Sequence, residues 1–255
     1  MDPTQLRRLA GRWRIPLGTV EKEQAMTVVL GVLSSLPSAK HLAFKGGSAL
    51  RIIYFEDHRL SEDLDFTVRE DVAGDILSGE GRFLDAGRRA GVRVTRVHSV
   101  RSRRSSKSMA IRYDDMNGHG NRIRLEFSLR ERVILPAEAR PIRDPYGVLE
   151  GGPGVPTMDL REILAEKIRA LYMRSAPRDL FDLWILARRG VPLEIPLVDE
   201  KLVWWRPDVK YSPPAVRERI AHLEPTWDRD LRPLLANVPP FSEVAEHIIR
   251  AFGTE

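Results

Sequence analysis

Two aspartates separated by a single residue, Asp63 and Asp65, are the first feature of the sequence that could do chemistry. They lie in residues 61–66 (SEDLDF), where apolar Leu64 and Phe66 alternate with them. This alternation predicts a strand with both carboxylates on one face and both apolar side chains in the core. Carboxylates side by side repel each other, and a pair of Mg²⁺ ions bound together with triphosphate oxygens would relieve that repulsion. The alternative is a strand end with two solvated acids.

A glycine turn upstream makes the metal hypothesis more specific. A short strand is predicted to end at Lys45, and Gly46, Gly47 and Ser48 lead from it into a predicted helix. Glycine lets the backbone approach a ligand closely, and a helix start offers free N–H groups to a phosphate. Ser48 would add a hydroxyl donor. The alternative is an ordinary turn between a strand and a helix, because the residue order of a Walker A loop is absent.

A third carboxylate would complete such a site, and Glu126 is the candidate. It lies in residues 122–130 (RIRLEFSLR), whose strict alternation predicts a strand with one apolar and one polar face. Glu126 falls in the middle of the polar face, between Arg124 and Ser128. It is therefore either a metal ligand or the partner of a neighbouring arginine.

A second group of charged residues lies in the C-terminal half. Lys167 falls inside the apolar stripe of a predicted helix over 158–174. A buried, unpaired ammonium would cost several kcal/mol, so Lys167 must reach solvent, pair with an acid or face a bound anion. Asp179 and Asp182 share a face of the next predicted helix, over 177–189. The helix dipole is the simpler explanation for acids in that position.

The positive charge of the chain is concentrated in one segment. The net charge is +5, but residues 92–132 carry eleven cations against four anions and therefore sum to +7. Such a block favours a phosphate-rich partner, and the alternative is a solvated, arginine-rich hairpin. The residues predicted to bind RNA are Arg101, Arg103, Arg104, Lys107, Arg122 and Arg124.

The elements that must position these residues indicate an α+β part followed by a helical part. Strands are predicted at 41–45, 64–68, 92–100, 108–114 and 122–130, and helices at 4–14, 19–36, 48–56, 71–90, 158–174, 177–189, 214–223, 228–236 and 241–251. The Gly- and Pro-rich residues 150–156 place the expected boundary between domains at 1–152 and 153–255.

Composition excludes several classes of protein. The chain has no Cys, which excludes disulfide scaffolds and thiol nucleophiles. It has no apolar run long enough for a membrane span and no visible secretory signal, so we expect a cytoplasmic protein without a membrane partner.

Four motifs taken together resemble the AbiEii-type nucleotidyltransferases. The motifs occur in family order at residues 45–51 (KGGSALR), 59–66 (RLSEDLDF), 165–170 (AEKIRA) and 178–183 (RDLFDL). The family consists of toxins of abortive-infection and type IV toxin–antitoxin systems, within the DNA polymerase β-like superfamily. The resemblance implies a nucleotidyltransferase domain, with a mixed sheet flanked by helices, followed by a helical C-terminal domain.

The resemblance also implies roles for the motif residues. Asp63 and Asp65 would bind Mg²⁺, Lys167 would meet the nucleotide from the second domain, and Asp179 or Asp182 would complete the site. The residues expected at the nucleotide are Lys45, Gly46, Gly47, Ser48, Arg51, Arg59 and Ser61.

The resulting hypothesis is Mg²⁺-dependent transfer of NMP from an NTP to an RNA hydroxyl, with the 3′ end of tRNA as the expected acceptor. Two metal ions, the basic segment and an antitoxin from an adjacent gene belong to this hypothesis. One alternative is a catalytically inactive module that binds RNA or antitoxin on the same fold. Another is transfer to a protein or small-molecule acceptor.

Overall fold

The computed structural model describes residues 3–103 and 105–253 of the 255-residue chain. The chain divides into two compact units, Met1–Met158 and Asp159–Glu255. The predicted boundary after residue 152 lies one strand before the boundary between the two units. Residues 154–157 belong to the first unit because they pair with its strands. That each part is a domain in its own right stays a prediction. In the described ranges we find no helix with the length and apolar character that a membrane span requires.

The first unit contains a seven-stranded mixed sheet in the order β3-β4-β5-β2-β1-β7-β6. Its strands are β1 Leu42–Lys45, β2 Asp63–Val68, β3 Arg93–Ser102, β4 Ser106–Asp114, β5 Gly120–Ser128, β6 Glu138–Pro141 and β7 Gly154–Thr157. Strand β2 runs antiparallel to β1 and parallel to β5, so the strand that carries both aspartates lies inside the sheet.

The helices of this unit are mostly those expected from the sequence. They are α1 Pro3–Trp13, α2 Leu17–Ser35, α3 Gly46–Ala49, α4 Ala73–Ser78 and α5 Glu80–Ala90, with a 3₁₀ helix at Pro37–His41 and a π-helical turn at Leu50–Tyr54 that continues α3. The helical segment expected within residues 71–90 consists of two helices, α4 and α5. The chain breaks at Gly79, whose N–H donates to the carbonyl of Asp75 and closes α4.

Aromatic packing fixes which way β2 faces. The Phe66 ring stacks on Phe127 of β5 at 5.4 Å between centroids and packs against Phe44 of β1 at 5.2 Å. Leu64 and Phe66 are fully buried. Because side chains alternate along a strand, this packing directs Asp63 and Asp65 to the opposite face of the sheet.

The second unit is helical. Its helices are α6 Leu160–Arg174, α7 Pro177–Arg188, α8 Ile195–Val203, α9 Pro213–Ala221, α10 Glu224–Leu231 and α11 Phe241–Phe252. Asp159 caps α6 by accepting the N–H of Arg161 at 2.9 Å. Helix α8 was not expected, because its segment has the prolines of a loop, and α10 begins four residues before the predicted 228.

Candidate active site

The three candidate metal ligands share one face of the sheet. Asp65 is the Cα partner of Lys45 on β1 and of Glu126 on β5, while Asp63 is paired with Arg124. Asp63, Asp65 and Glu126 are all partly exposed. Adjacent positions in register point to the same face, so the strands bring the acids together although Glu126 is far from the aspartates in sequence.

The pKa of the Glu126 carboxyl is raised by its surroundings. Burial raises the pKa of its carboxyl, and the nearby charges of Asp65 and Asp63 raise the pKa further, while Arg124 and Arg101 act in the opposite direction. The Arg124 Nε lies 3.7 Å from the Glu126 Oε1, a loose contact on a half-exposed pair. This ion pair therefore does not cancel the rise in the pKa of the Glu126 carboxyl.

The donor chemistry of this face suits Mg²⁺, which prefers carboxylate oxygens. Over residues 3–103 and 105–253, however, no group of three His, Cys, Asp or Glu side chains is gathered closely enough to hold a metal as it stands. The carboxylates of β2 thus fit the cation by chemistry and by shared face. Participation of Glu126 as a third ligand stays a prediction.

The glycine turn lies directly against the carboxylate pair. Gly46 has a φ of +75°, a conformation that other residues rarely adopt. A Cβ at Gly46 would stand 2.8 Å from the Asp65 Oδ2, and a Cβ at Gly47 would collide with the guanidinium of Arg59. Gly46 is therefore required by its backbone conformation and by the nearby Asp65 carboxylate, while Gly47 leaves room for the Arg59 guanidinium.

The remaining residues of this turn are largely buried. Lys45 is 8% exposed and forms an ion pair with Glu131, a partner that the sequence analysis did not identify. Ser48 is fully buried, and its hydroxyl has no hydrogen-bond partner in the described part of the chain. Helix α3 spans only four residues before the π turn. A contribution of its dipole to phosphate binding is correspondingly small.

The guanidinium of Arg51 is enclosed by other groups of the protein rather than open to a ligand. Its Nε donates to the Glu23 Oε1 at 2.8 Å, its Nη1 donates to the His58 carbonyl at 3.2 Å, and its guanidinium lies over the Trp13 ring at 5.0 Å. The side chain is almost fully buried. This arrangement favours a role in holding α1 and α2 over the predicted contact with a triphosphate.

Arg59 and Ser61 lie on the loop that leads into β2. Arg59 is 3% exposed and donates to the Leu60 carbonyl at 3.1 Å. Its guanidinium borders Gly47, so it links the glycine turn to this loop. Ser61 is half-buried two residues before Asp63.

In the second unit, Lys167 is held by both predicted aspartates. Its Nζ lies 3.0 Å from the Asp179 Oδ1 and 2.6 Å from the Asp182 Oδ2, and both carboxylates are fully buried. Arg174 also donates to Asp179, at 2.7 Å and 2.9 Å. Of the three possibilities that the sequence left open for Lys167, the structure shows pairing with acids.

The charge balance in this cluster favours the ionised form of Asp179. Burial alone would raise the pKa of Asp179, but Lys167 and Arg174 outweigh burial and hold the pKa below its usual value. Asp179 and Asp182 thus hold the Lys167 ammonium between two buried carboxylates, and a role of the three residues in catalysis stays a prediction.

A second buried lysine lies in the same unit. The Lys201 Nζ of α8 lies 2.5 Å from the Glu162 Oε1 and 3.2 Å from the Glu166 Oε1 of α6. Lys201 is 1% exposed. Sequence reasoning missed this network because its lysine lies in the helix that was not expected.

The predicted RNA-binding residues separate into two groups. Arg101, Arg122 and Arg124 lie on the same face as the carboxylate pair, and Arg103 is exposed in the turn between β3 and β4. Lys107 is the Cα partner of Phe127 and forms an ion pair with Asp71. Lys107 therefore lies on the opposite face of the sheet, and its predicted role in RNA binding stays a prediction. Arg104 lies outside the described residues.

The mixed sheet, the glycine turn and the carboxylates on β2 define the class of protein as a nucleotidyltransferase. The family profile described as nucleotidyl transferase AbiEii toxin, type IV toxin–antitoxin system, matches residues 28–247. The chain therefore belongs to the AbiEii nucleotidyltransferase toxin family. This membership implies an NTP substrate and an antitoxin partner.

Solved structures agree on the fold. MenT4, a nucleotidyltransferase toxin from Mycobacterium tuberculosis H37Rv, is 22% identical, with a TM-score of 0.74 over 99% of this chain and 88% of its own. JHP933 from Helicobacter pylori is 19% identical, with a TM-score of 0.60 over 94% of this chain and 93% of its own. None of the curated protein sequences matches the chain.

Proposed function

We propose that the protein transfers an NMP from an NTP to an RNA hydroxyl, with the 3′ end of tRNA as acceptor and pyrophosphate as the leaving group, in a reaction that requires Mg²⁺. The observation that carries this proposal is the common face of Asp63, Asp65 and Glu126 beside the glycine turn. Loss of a usable tRNA 3′ end would block translation, which is consistent with a toxin. Both substrates occur in the cytoplasm, where we propose that the protein acts.

The carboxylates of Asp63 and Asp65 would hold the metal ions, of which we propose two, with Glu126 as an additional ligand. Bound Mg²⁺ would supply charge neutralisation at the phosphates and a lowered pKa for the attacking hydroxyl. The chain itself orients Asp65, because Gly46 fits against its carboxylate and leaves no room for a side chain.

We propose that Gly46 and Gly47 bind the triphosphate with their backbone and that Ser48 adds a hydroxyl. The buried hydroxyl of Ser48 has no hydrogen-bond partner among the described residues. Because buried polar groups are normally hydrogen-bonded, this supports a ligand oxygen as its partner. Lys45 and Arg59 would contribute positive charge at this turn. The family motif supports a contact between the nucleotide and Lys167, whose Nζ lies within ion-pair distance of Asp179 and Asp182.

The exposed arginines of β3 and β5 support RNA over other acceptors. Arg101, Arg122 and Arg124 lie on the face that carries the carboxylates. A positively charged surface beside a reacting centre attracts a polyanionic acceptor. A protein or small-molecule acceptor would not require such a surface.

Transfer of label tests the proposal. The protein is incubated with total tRNA, Mg²⁺ and each of the four α-labelled NTPs in turn, and the labelled RNA is digested to locate the added nucleotide. We expect label at the tRNA 3′ end from at least one NTP, and none when EDTA replaces Mg²⁺. Binding of tRNA that is independent of Mg²⁺, with no transfer from any NTP, would instead support a catalytically inactive binding module.

A further inference from the structure

Three arginines lie side by side on the outer strands of the sheet. Arg96 of β3 is the Cα partner of Arg112 of β4, which in turn is the partner of Arg122 of β5. All three are exposed, and no carboxylate of the described residues forms an ion pair with any of them. Like charges directly opposite each other on neighbouring strands are destabilising. This arginine row (Arg96, Arg112 and Arg122) therefore acts against the stability of the fold unless an anion neutralises it.

Two β-bulges direct arginines of β3 to the polar face. The register shifts by one residue between Val94 and Arg96 and again between Ser99 and Arg101. With strict alternation, Arg96 would stand opposite Ile111 and point into the core. The first bulge instead places Arg96 opposite Arg112, and the second places Arg101 opposite Ser108. Bulges re-aim side chains in this way, commonly next to functional sites.

The surroundings of the row form a concave, electropositive surface. Arg112 and Arg122 line a hollow of about 350 Å³ together with Thr95, the residue that the first bulge displaces, and with Asp114, whose carboxylate is paired with Arg93. His98 lies two residues along β3 from Arg96 and faces the same side of the sheet, and burial and then the charges of Arg112, Arg96 and Arg122 lower its pKa. His98 thus stays neutral at pH 7, and the arginines provide the charge.

We propose that the arginine row binds backbone phosphates of the acceptor RNA strand immediately 5′ of the hydroxyl that receives the nucleotide. This inference rests on the proposed function, because it requires an RNA acceptor. Guanidinium groups bind phosphate oxygens in a bidentate manner, and a row of them at strand spacing suits a polymer with regularly spaced charges.

The sheet sets the distance between the row and the reacting centre. Arg122 lies two residues along β5 from Arg124, the Cα partner of Asp63. Strand spacing and rise per residue then put the Cα atoms of Arg122, Arg112 and Arg96 at roughly 8, 12 and 16 Å from that of Asp63. A stacked strand advances about 3.4 Å per phosphate, so this span corresponds to roughly the second to fifth phosphates from the reacting hydroxyl.

Chemical neutralisation of single phosphates tests the inference. The probe is a labelled RNA hairpin with a single-stranded 3′ end, carrying uncharged methylphosphonate linkages either at the second to fifth positions from the 3′ end or at positions far into the stem. We expect the near linkages to weaken binding on the order of tenfold and the far linkages to have a smaller effect. In the Arg96→Gln/Arg112→Gln/Arg122→Gln variant, the near linkages should have little further effect, because the same contacts are already lost.

Charge-matched variants separate this site from general electrostatics. Arg7→Gln/Arg8→Gln/Arg12→Gln removes the same charge from exposed positions of α1 and should leave the KM for RNA within about twofold. The arginine-row variant should raise that KM about tenfold or more and reduce the slope of log affinity against log salt by about 2, while Arg96→Lys/Arg112→Lys/Arg122→Lys should keep the slope. Urea unfolding of the glutamine variant should occur at an equal or higher midpoint, because repulsion is removed.

The outcomes distinguish the two proposals. If the wild-type protein neither binds nor labels any RNA, the proposed function fails. If it labels RNA normally, but both linkage patterns have the same effect and the arginine-row variant keeps the wild-type KM and salt slope, only the present inference is overturned. The inference would likewise be overturned if the arginine-row variant binds RNA as the wild type does but is no longer inhibited by the antitoxin. The row would then be assigned to binding an acidic protein.

Discussion

The two buried lysines of the second unit provide a matched pair of perturbations. Lys201→Met and Lys167→Met each remove one ammonium that contacts two carboxylates, and methionine keeps a similar length and volume. Removal of one partner from a buried ion pair costs about 3–5 kcal/mol of unfolding free energy, because it leaves charge buried without compensation.

The two variants should differ in size of effect. Arg174 still donates to Asp179 at 2.7 Å and 2.9 Å when Lys167 is gone, so we expect a loss near the lower end, about 3 kcal/mol. Lys201 is 1% exposed and its partner Glu162 is fully buried, so we expect a loss toward the upper end, about 5 kcal/mol.

The assay is urea unfolding followed by circular dichroism, combined with nucleotide transfer at a temperature where both variants remain folded. Lys167→Met should lose transfer while folded, whereas Lys201→Met should keep transfer despite the larger loss of stability. If Lys201→Met unfolds within about 0.5 kcal/mol of the wild type, the reasoning on buried charge is refuted. If folded Lys167→Met transfers at the wild-type rate, Lys167 has only a structural role.

Three further variants test individual contacts. Gly46 has a φ of +75° and lies against Asp65, so Gly46→Ala should lose about 1–3 kcal/mol of unfolding free energy and most of the transfer rate. Gly11 of α1 has open space around it, so the control Gly11→Ala should gain about 0.5–1 kcal/mol and keep the transfer rate. Arg51→Met should lose about 3–5 kcal/mol of unfolding free energy, measured in urea, because it breaks a buried ion pair. Its KM for NTP should stay within about twofold of the wild-type value, and a larger change would contradict a structural role for Arg51. The lowered pKa of Asp179 stabilises the fold above about pH 4, and this contribution is lost as pH falls through the lowered value. The urea midpoint should therefore fall less steeply between pH 5 and pH 3 in Asp179→Asn than in the wild type.

Local pattern was sufficient for the parts of the site that lie on regular strands. The alternation around Asp63 and Asp65 correctly placed both carboxylates opposite Phe66, because a strand side chain has only two directions. The alternation of β5 likewise placed Glu126 on its polar face. That Glu126 stands beside Asp65 depends on strand order, which one sequence does not reveal.

The features that the sequence did not predict arise from tertiary structure. Two bulges in β3 break the alternation, so the shared face of Arg96 and Arg101 cannot be read from a period of two. Strands β6 and β7 have four residues each and contain proline, which is typical of loops. Arg51 has the position of a ligand in its motif, but it pairs with Glu23 on a helix that the motif does not include.

The rate of nucleotide transfer by Asp65→Asn tests the central claim most directly. Asparagine keeps the shape of the side chain and removes the charge that the metal ions require, while Asp85→Asn makes the same change at an exposed position of α5. We predict that Asp65→Asn lowers the transfer rate by about 10³-fold, equivalent to about 4 kcal/mol in the barrier, and that Asp85→Asn matches the wild type. Transfer by Asp65→Asn within tenfold of the wild-type rate would contradict a nucleotidyltransferase site built on β2.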